Sequence, residues 1–160
     1  MTTHLESDIG FRASAQLAGN LQQVLVDLIA LHLNGKQAHW NVVGHNFRDL
    51  HLQLDEIVDS AREFSDTIAE RMRALDAVPD GRPQTVTSTT TVPILPAGEQ
   101  DTTAVVDLVT TQIRAAVATV RAVHDDTDAE DPSTADLLHA VIDQLEKQAW
   151  LLSSENRTRG

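Results

Sequence analysis

Apolar residues recur at helical spacing in four long stretches of this chain, with turn-forming residues between them. From Ala13, the positions Leu17, Leu21, Val24, Leu25, Leu28 and Leu31 trace one face of a helix that the pattern carries to about Val43. Asn41 and Gly44 are the expected terminators, because Asn and Gly tolerate left-handed backbone. A second helix is expected from near Asn46, on the series Phe47, Leu50, Leu54, Ile57, Ala61, Phe64, Ile68, Met72 and Leu75, ending before Pro79-Asp80-Gly81. Residues 79–100 hold four of the five Pro and many Thr, which predicts a long crossover with at most a short helix inside it. A third helix is expected from Asp101 or Thr102, through Val105, Val109, Ile113, Val117 and Val120, into the stretch HDDTDAEDP. The fourth starts at Asp131-Pro132, with Pro at the first helical position and Ser133 with Asp136 as a second capping choice, and runs through Leu138, Val141, Leu145 and Leu151. The pattern is two helical hairpins joined by one long crossover. The bundle is expected over residues 13–156, with tails at 1–12 and 157–160.

Composition agrees with an all-α chain. Hydrophobic residues make up 41% and aromatics only 3%, so the core must come from Leu, Val, Ala and Ile, which favours helices over a β-sandwich. The absence of Cys removes any disulfide framework and fits a reducing compartment. The first sixteen residues show no basic segment followed by an apolar one, and no apolar run approaches the ~20 residues of a membrane span. A cytoplasmic protein, with nucleoid association as a variant, is the expectation. The formal net charge is −12, and only Lys36 and Lys147 are Lys. Such a surface repels nucleic acid and attracts cations.

The chemistry concentrates between Lys36 and Glu70. With His51 as zero on the helical wheel, Asp55 lies at about 40°, Asp66 at about 60° and Glu70 at about 100°, whereas the core stripe centres near 260°. The histidine and the acids therefore share one arc that faces away from the core. The pairs His51/Asp55 and Asp66/Glu70 are about 15 residues apart, roughly 22 Å along the axis. Metal–ligand bonds are only about 2–2.5 Å. One chain cannot close a site from both pairs, but two copies packed antiparallel across a two-fold axis can, and would make two identical sites. If the turn sits near Gly44–Asn46, residues about six before and six after it face each other, which brings His39 beside His51. The site expected is His39, His51 and Asp55 from one copy with Asp66 and Glu70 from the other. Imidazole and carboxylate without thiolate suit Fe(II), Mn(II) or Zn(II), and a carboxylate-weighted set stabilises Fe(III). Taken singly, Asp59, Arg62, Asp66, Glu70 and Arg73 are an ordinary salt-bridged helix face; the joint geometry raises them above that.

These residues also carry a family resemblance. Lys36-Gln37-Ala38-His39-Trp40-Asn41-Val42-Val43-Gly44, followed by Phe47, Leu50-His51 and Asp55-Glu56, closely resembles the signature of the Dps family of miniferritins, the starved-cell DNA-binding proteins. Asp66-Thr67-Ile68-Ala69-Glu70-Arg71 with Leu75 and Pro79 resembles its second signature, and Leu145–Leu151 is similar to its C-terminal run. The resemblance covers nearly the whole chain. It implies a ferritin-like four-helix bundle, a hollow homododecamer, and oxidation of Fe(II) at two-fold interfaces, with hydrogen peroxide preferred over dioxygen. Ferric mineral would be stored inside, and DNA protected from oxidative damage. His39, Asp66 and Glu70 match direct iron ligands. His51 and Asp55 match a second, weaker metal or bridging-water position. Trp40 matches a tryptophan beside the site, and Lys36 a lysine that pairs with a site-proximal acid. No ligand position is altered.

The acidic run Asp125, Asp126, Asp128, Glu130, Asp131 and Asp136 reads on its own as a solvated loop with capping acids. In a cage, three copies around a three-fold axis would make it a negative funnel for Fe(II); Asp136 matches the family's pore acids best, ahead of Asp131 and Glu130. Many family members bind DNA through a Lys/Arg-rich tail, which is missing here. A nucleoid-packaging protein without ferroxidase action is the alternative reading.

Overall fold

The four long helices form where the apolar periodicity places them. In the computed structural model, which describes residues 10–160, α1 spans Ala15–Asn41, α2 Phe47–Ala74, a short α3 Pro83–Thr89, α4 Thr102–Glu130 and α5 Pro132–Ser153. A single 3-10 turn, Ser154–Asn156, follows. The expected tail residues 1–9 lie outside the described residues. Within the rest of that tail, Arg12 is paired with Asp76; at the first residue of the expected bundle, the Ala13 amide donates to the Leu75 carbonyl at 3.0 Å.

Side-chain caps set two of the starts. The Ser14 hydroxyl accepts from the Leu17 amide at 3.1 Å, and Asp101 Oδ1 from the Ala104 amide at 2.8 Å. Each satisfies an amide that a helix N-terminus otherwise leaves without a partner. The first hairpin turn differs from expectation in detail. Asn41 stays helical, its side-chain amide donating to the Gln37 carbonyl at 2.9 Å, and the left-handed residues are Gly44 at φ +120° and Asn46 at φ +59°. Val42–Val43 leaves the helix as a short strand, β1, and pairs in parallel with β2, Gln100–Asp101. That pairing sets the start of α4 beside the end of α1. At the opposite end, Glu130 accepts from the Ser14 amide at 2.8 Å and the Ser14 hydroxyl at 2.7 Å. α1 and α4 are therefore antiparallel, and the crossover travels the length of the bundle.

The second hairpin is tighter than the sequence suggests. Only Asp131 separates α4 from α5, and the acidic stretch up to Glu130 is helix, where a solvated loop was expected. Fully buried Thr127 anchors it, donating to the Val123 carbonyl at 2.8 Å, while the Asp131 amide donates to the Thr127 carbonyl at 2.7 Å. Pro132 takes the first helical position, so Ser133 lies inside the first turn and no Ser133–Asp136 capping box forms.

Leu17, Leu21, Leu28 and Leu31 of α1 meet Leu54, Ile57, Ile68 and Met72 of α2, Ile113 of α4 and Leu138, Leu145 and Leu152 of α5 in one apolar core. α4 is long and apolar enough to cross a membrane by length and composition. Its Val105, Val106, Val109, Ile113, Val117 and Val120 are buried in the core of the bundle. Gly35 lets α1 and α2 approach closely, because a Cβ there would stand 2.9 Å from Val58 Cγ2.

One buried acid fastens the Thr-rich crossover. Asp27, 1% exposed, accepts from Thr90 Oγ1 at 2.8 Å, the Thr91 amide at 2.8 Å, Thr91 Oγ1 at 2.7 Å and Thr119 Oγ1 at 2.6 Å. The carboxylate is satisfied by hydroxyls and an amide, with no cation among these partners. Asp27→Ala strands these donors and is expected to lower unfolding stability by about 3 kcal/mol. Urea denaturation checks this; a loss under about 0.5 kcal/mol would show that the network contributes little.

Candidate metal centre

The turn between α1 and α2 does to His39 and His51 what hairpin spacing predicts. Their imidazoles stack with centroids 3.6 Å apart and planes at 17°. His39 Nδ1 lies 2.6 Å from the His51 carbonyl oxygen, and His51 Nδ1 lies 2.8 Å from the His39 carbonyl oxygen. A carbonyl oxygen only accepts, so each ring carries a proton on Nδ1, and in the neutral form its Nε2 lone pair is the one left for a ligand. This reciprocal exchange fixes tautomer and ring orientation together, as the carbonyl and carboxylate partners of metal-bound histidines do. Phe47, one turn before His51, stacks on its other side at 5.1 Å. His39 is 7% exposed and His51 half-buried, so the pair is packed and still reachable.

Asp55 completes the cluster. Lys36 Nζ donates to its Oδ1 at 2.6 Å, and His39 Nδ1 lies 3.7 Å from the same oxygen. Both contacts use Oδ1, which leaves Oδ2 to a ligand. The Lys36 hydrogen bond holds the Asp55 carboxyl below its ordinary range, against a smaller upward push from burial. His32, one turn before Lys36, is kept below its usual value by burial and by the charges of Arg62 and Lys36, so it favours the neutral ring. A lone His on a helix face carries no motif by which the sequence could single it out.

Asp66 and Glu70 are exposed farther along α2. The helix is unbroken from Phe47 to Ala74, so Asp66 stands about 16 Å along the axis from Asp55. Among the described residues, no three His, Cys, Asp or Glu side chains converge as a metal cage within one chain. The expected ligands therefore form two half-sets on one outer face. Asp66 lines an open groove of about 640 Å³ with Leu25, Ile29, Arg62, Pro79 and Gly81. Around the histidine half-set, Trp40 is 66% exposed, Leu33 53% and Leu52 48%. Leu33 and Trp40 lie two turns apart on one face of α1, an apolar surface of the kind that marks protein contacts.

The acids singled out for a pore separate into two groups. Asp131 accepts from Arg71 at 2.9 Å and from Thr134, tying α2 to the start of α5. Burial pushes its carboxyl up, but Thr134 and Arg71 together hold it below the ordinary range. Glu130 is engaged by Ser14, as above. Asp136 is exposed, with Oδ1 3.5 Å from His139 Nδ1. Asp131 and Glu130 are thus committed to contacts within the chain.

A family model describing a ferritin-like domain matches residues 18–158. The chain is 35% identical over 130 residues to DNA protection during starvation protein 2 of Deinococcus radiodurans, covering 81% of this chain and 54% of that protein's length. It is 33% identical over 156 residues to the DNA protection during starvation protein of Agrobacterium fabrum, covering 96% of each. A crystal structure of Dps92 from Deinococcus radiodurans superposes with a TM-score of 0.84 at 33% identity, over 87% of this chain and 84% of that one. Fold and matches define the class as an all-α ferritin-like bundle. Within that class, the chain belongs to the Dps family of miniferritins.

The depressed Asp55 carboxyl has a pH consequence. A folded-state value below the unfolded one, about 3.9, gives stability that is present above that pH and is lost as the pH falls through the folded value. Lys36→Met is expected to return the Asp55 carboxyl toward its ordinary range, read by carboxyl-carbon NMR titration. An unmoved titration would show that Lys36 does not hold it.

Proposed function

We propose that this protein oxidises Fe(II) at sites shared between two copies and stores the ferric product inside a dodecameric cage. The observation that carries this reading is the pair of Nε2 lone pairs set by the His39–His51 exchange, on the face that also displays Asp66 and Glu70. An antiparallel second copy would bring Asp66 and Glu70 of one α2 to the histidines and Asp55 of the other. The exposed apolar surface at Leu33, Trp40 and Leu52 supports such a contact.

Iron is substrate and cargo in this scheme. Two Fe(II) ions give one electron each to one hydrogen peroxide, whose O–O bond breaks to two hydroxides. Carboxylates favour the ferric product because it is the harder, more charged ion. His39, Asp66 and Glu70 bind the ion that reacts. His51 and Asp55 hold the second position, with Lys36 limiting the charge Asp55 presents. Trp40, beside His39 in sequence, is positioned to pass an electron. Asp136 is the acid that would line a three-fold pore for incoming Fe(II), and a cytoplasmic place of action is part of the reading.

DNA is protected here by removal of Fe(II) and peroxide rather than by coating. A net charge of −12 opposes binding to a polyanion. A gel shift with duplex DNA is expected to show no complex at low or physiological salt; a shift at physiological salt would favour the packaging alternative.

The test of the main reading is direct. Purified protein given Fe(II) and hydrogen peroxide should consume the peroxide and form soluble ferric mineral. The double variant His39→Ala/Asp66→Ala should lose at least about 2 kcal/mol of transition-state stabilisation, some thirtyfold in rate. No soluble mineral in the native chain, or an unchanged rate in the variant, overturns it.

A further inference from the structure

The α4–α5 hairpin carries a second pair of histidines that none of the chemistry above uses. His124 lies near the end of α4 and His139 near the start of α5. Their rings stack with centroids 4.6 Å apart and planes at 27°, and their Nε2 atoms are 2.6 Å apart. His124 Nδ1 shares a hydrogen bond with Asp125 Oδ1 at 3.0 Å, and Asp136 Oδ1 lies at ion-pair distance, 3.5 Å, from His139 Nδ1. An imidazole that donates Nδ1–H to a carboxylate turns its Nε2 lone pair outward, which is the arrangement of carboxylate–histidine–metal units.

Two nitrogen lone pairs at 2.6 Å repel unless a proton or a cation lies between them. Bonds of about 2.0–2.1 Å place two ligand nitrogens about 3 Å apart at the right angle of tetragonal Cu(II) and about 3.3 Å apart at the tetrahedral angle of Zn(II). From 2.6 Å the rings need to open by about 0.4 Å for Cu(II) and about 0.7 Å for Zn(II) to reach that spacing. They border an open groove of about 310 Å³ with Arg121, Ile142, Asp143 and Glu146. Arg121 is bound to Glu146 at 2.7 Å, so its charge is offset beside the groove. The side chains of His124 and His139 are 22% and 57% exposed, which leaves a path for an ion from solvent.

We propose that His124 and His139 form a two-imidazole clamp for a borderline divalent transition ion, Zn(II) or Cu(II). Imidazole pairs select such ions, with Cu(II) the strongest binder in the first-row series, whereas Mg(II) and Ca(II) need oxygen cages. No third protein ligand closes the clamp among the described residues, so water fills the remaining positions. The clamp sits on the opposite hairpin from His39 and His51 and does not rest on the ferroxidase reading.

The test uses the full chain in a His39→Ala/His51→Ala/Asp66→Ala/Glu70→Ala background, which removes both imidazoles and two of the carboxylates of the α1–α2 site and leaves Asp55 held by Lys36. Equilibrium dialysis should find one Zn(II) per chain in that background. His124→Gln and His139→Gln should each weaken it about tenfold or more. Electron paramagnetic resonance of added Cu(II) should show coupling to two imidazole nitrogens, falling to one in either Gln variant. The proposal is overturned if no Zn(II) binds in that background, if either Gln variant leaves affinity and stoichiometry unchanged, or if the Cu(II) spectrum shows fewer than two nitrogens.

Discussion

A helix rises a fixed distance per residue, and the whole arrangement of this protein follows from that constraint acting on α2. Because the helix is unbroken from Phe47 to Ala74, its acids at Asp55 and at Asp66 and Glu70 share a face and never meet. The hairpin turn adds a histidine at one end only. Gly44 and Asn46 reverse the chain in left-handed backbone, and the imidazoles that come opposite each other lock by trading Nδ1–H for carbonyl oxygen. One end of the outer face is thereby a preset nitrogen donor set and the other a pair of carboxylates. Chemistry that needs both requires a second molecule in the opposite direction.

The crossover completes the carboxylate end. Asp27 grips Thr90, Thr91 and Thr119, and Asp80 receives the Arg82 guanidinium at 2.8 Å and the Thr85 hydroxyl at 2.7 Å. Gln22 of α1 fastens the same segment through the Asp80 amide at 2.9 Å. Gly81 passes so close to α1 that a Cβ would stand 2.9 Å from Ile29 Cδ1. The Thr- and Pro-rich stretch is therefore a strap held onto α1, and its first residues wall the groove beside Asp66.

Local regularities were legible in the sequence, and distant partnerships were not. The helical wheel placed Leu54, Ile57, Ala61 and Ile68 in the core, and all are fully buried. Counting outward from the turn put His39 against His51, and the rings stack. The same count about Asp131 puts His124 opposite His139, but the acids around that pair read in sequence as a loop. The stretch is helix, since Thr127 anchors it to the core. Asp27 carries no local signal: apart from Gln23 at 3.4 Å, its partners lie 63 to 92 residues away, and only the fold brings them together. The β1–β2 pairing is equally silent, because two residues carry no alternation to read.

In the proposed assembly each metal site takes His39 from one chain and Asp66 from another. Co-assembly of two inactive chains, one His39→Ala and one Asp66→Ala, tests it most directly. A mixed two-fold pair then contains one site with both defects and one site with neither. At equal mixing, half the pairs are mixed, so the account predicts recovery of about a quarter of the native peroxide-dependent iron oxidation rate. Recovery of nothing, from chains shown to co-assemble, would contradict it.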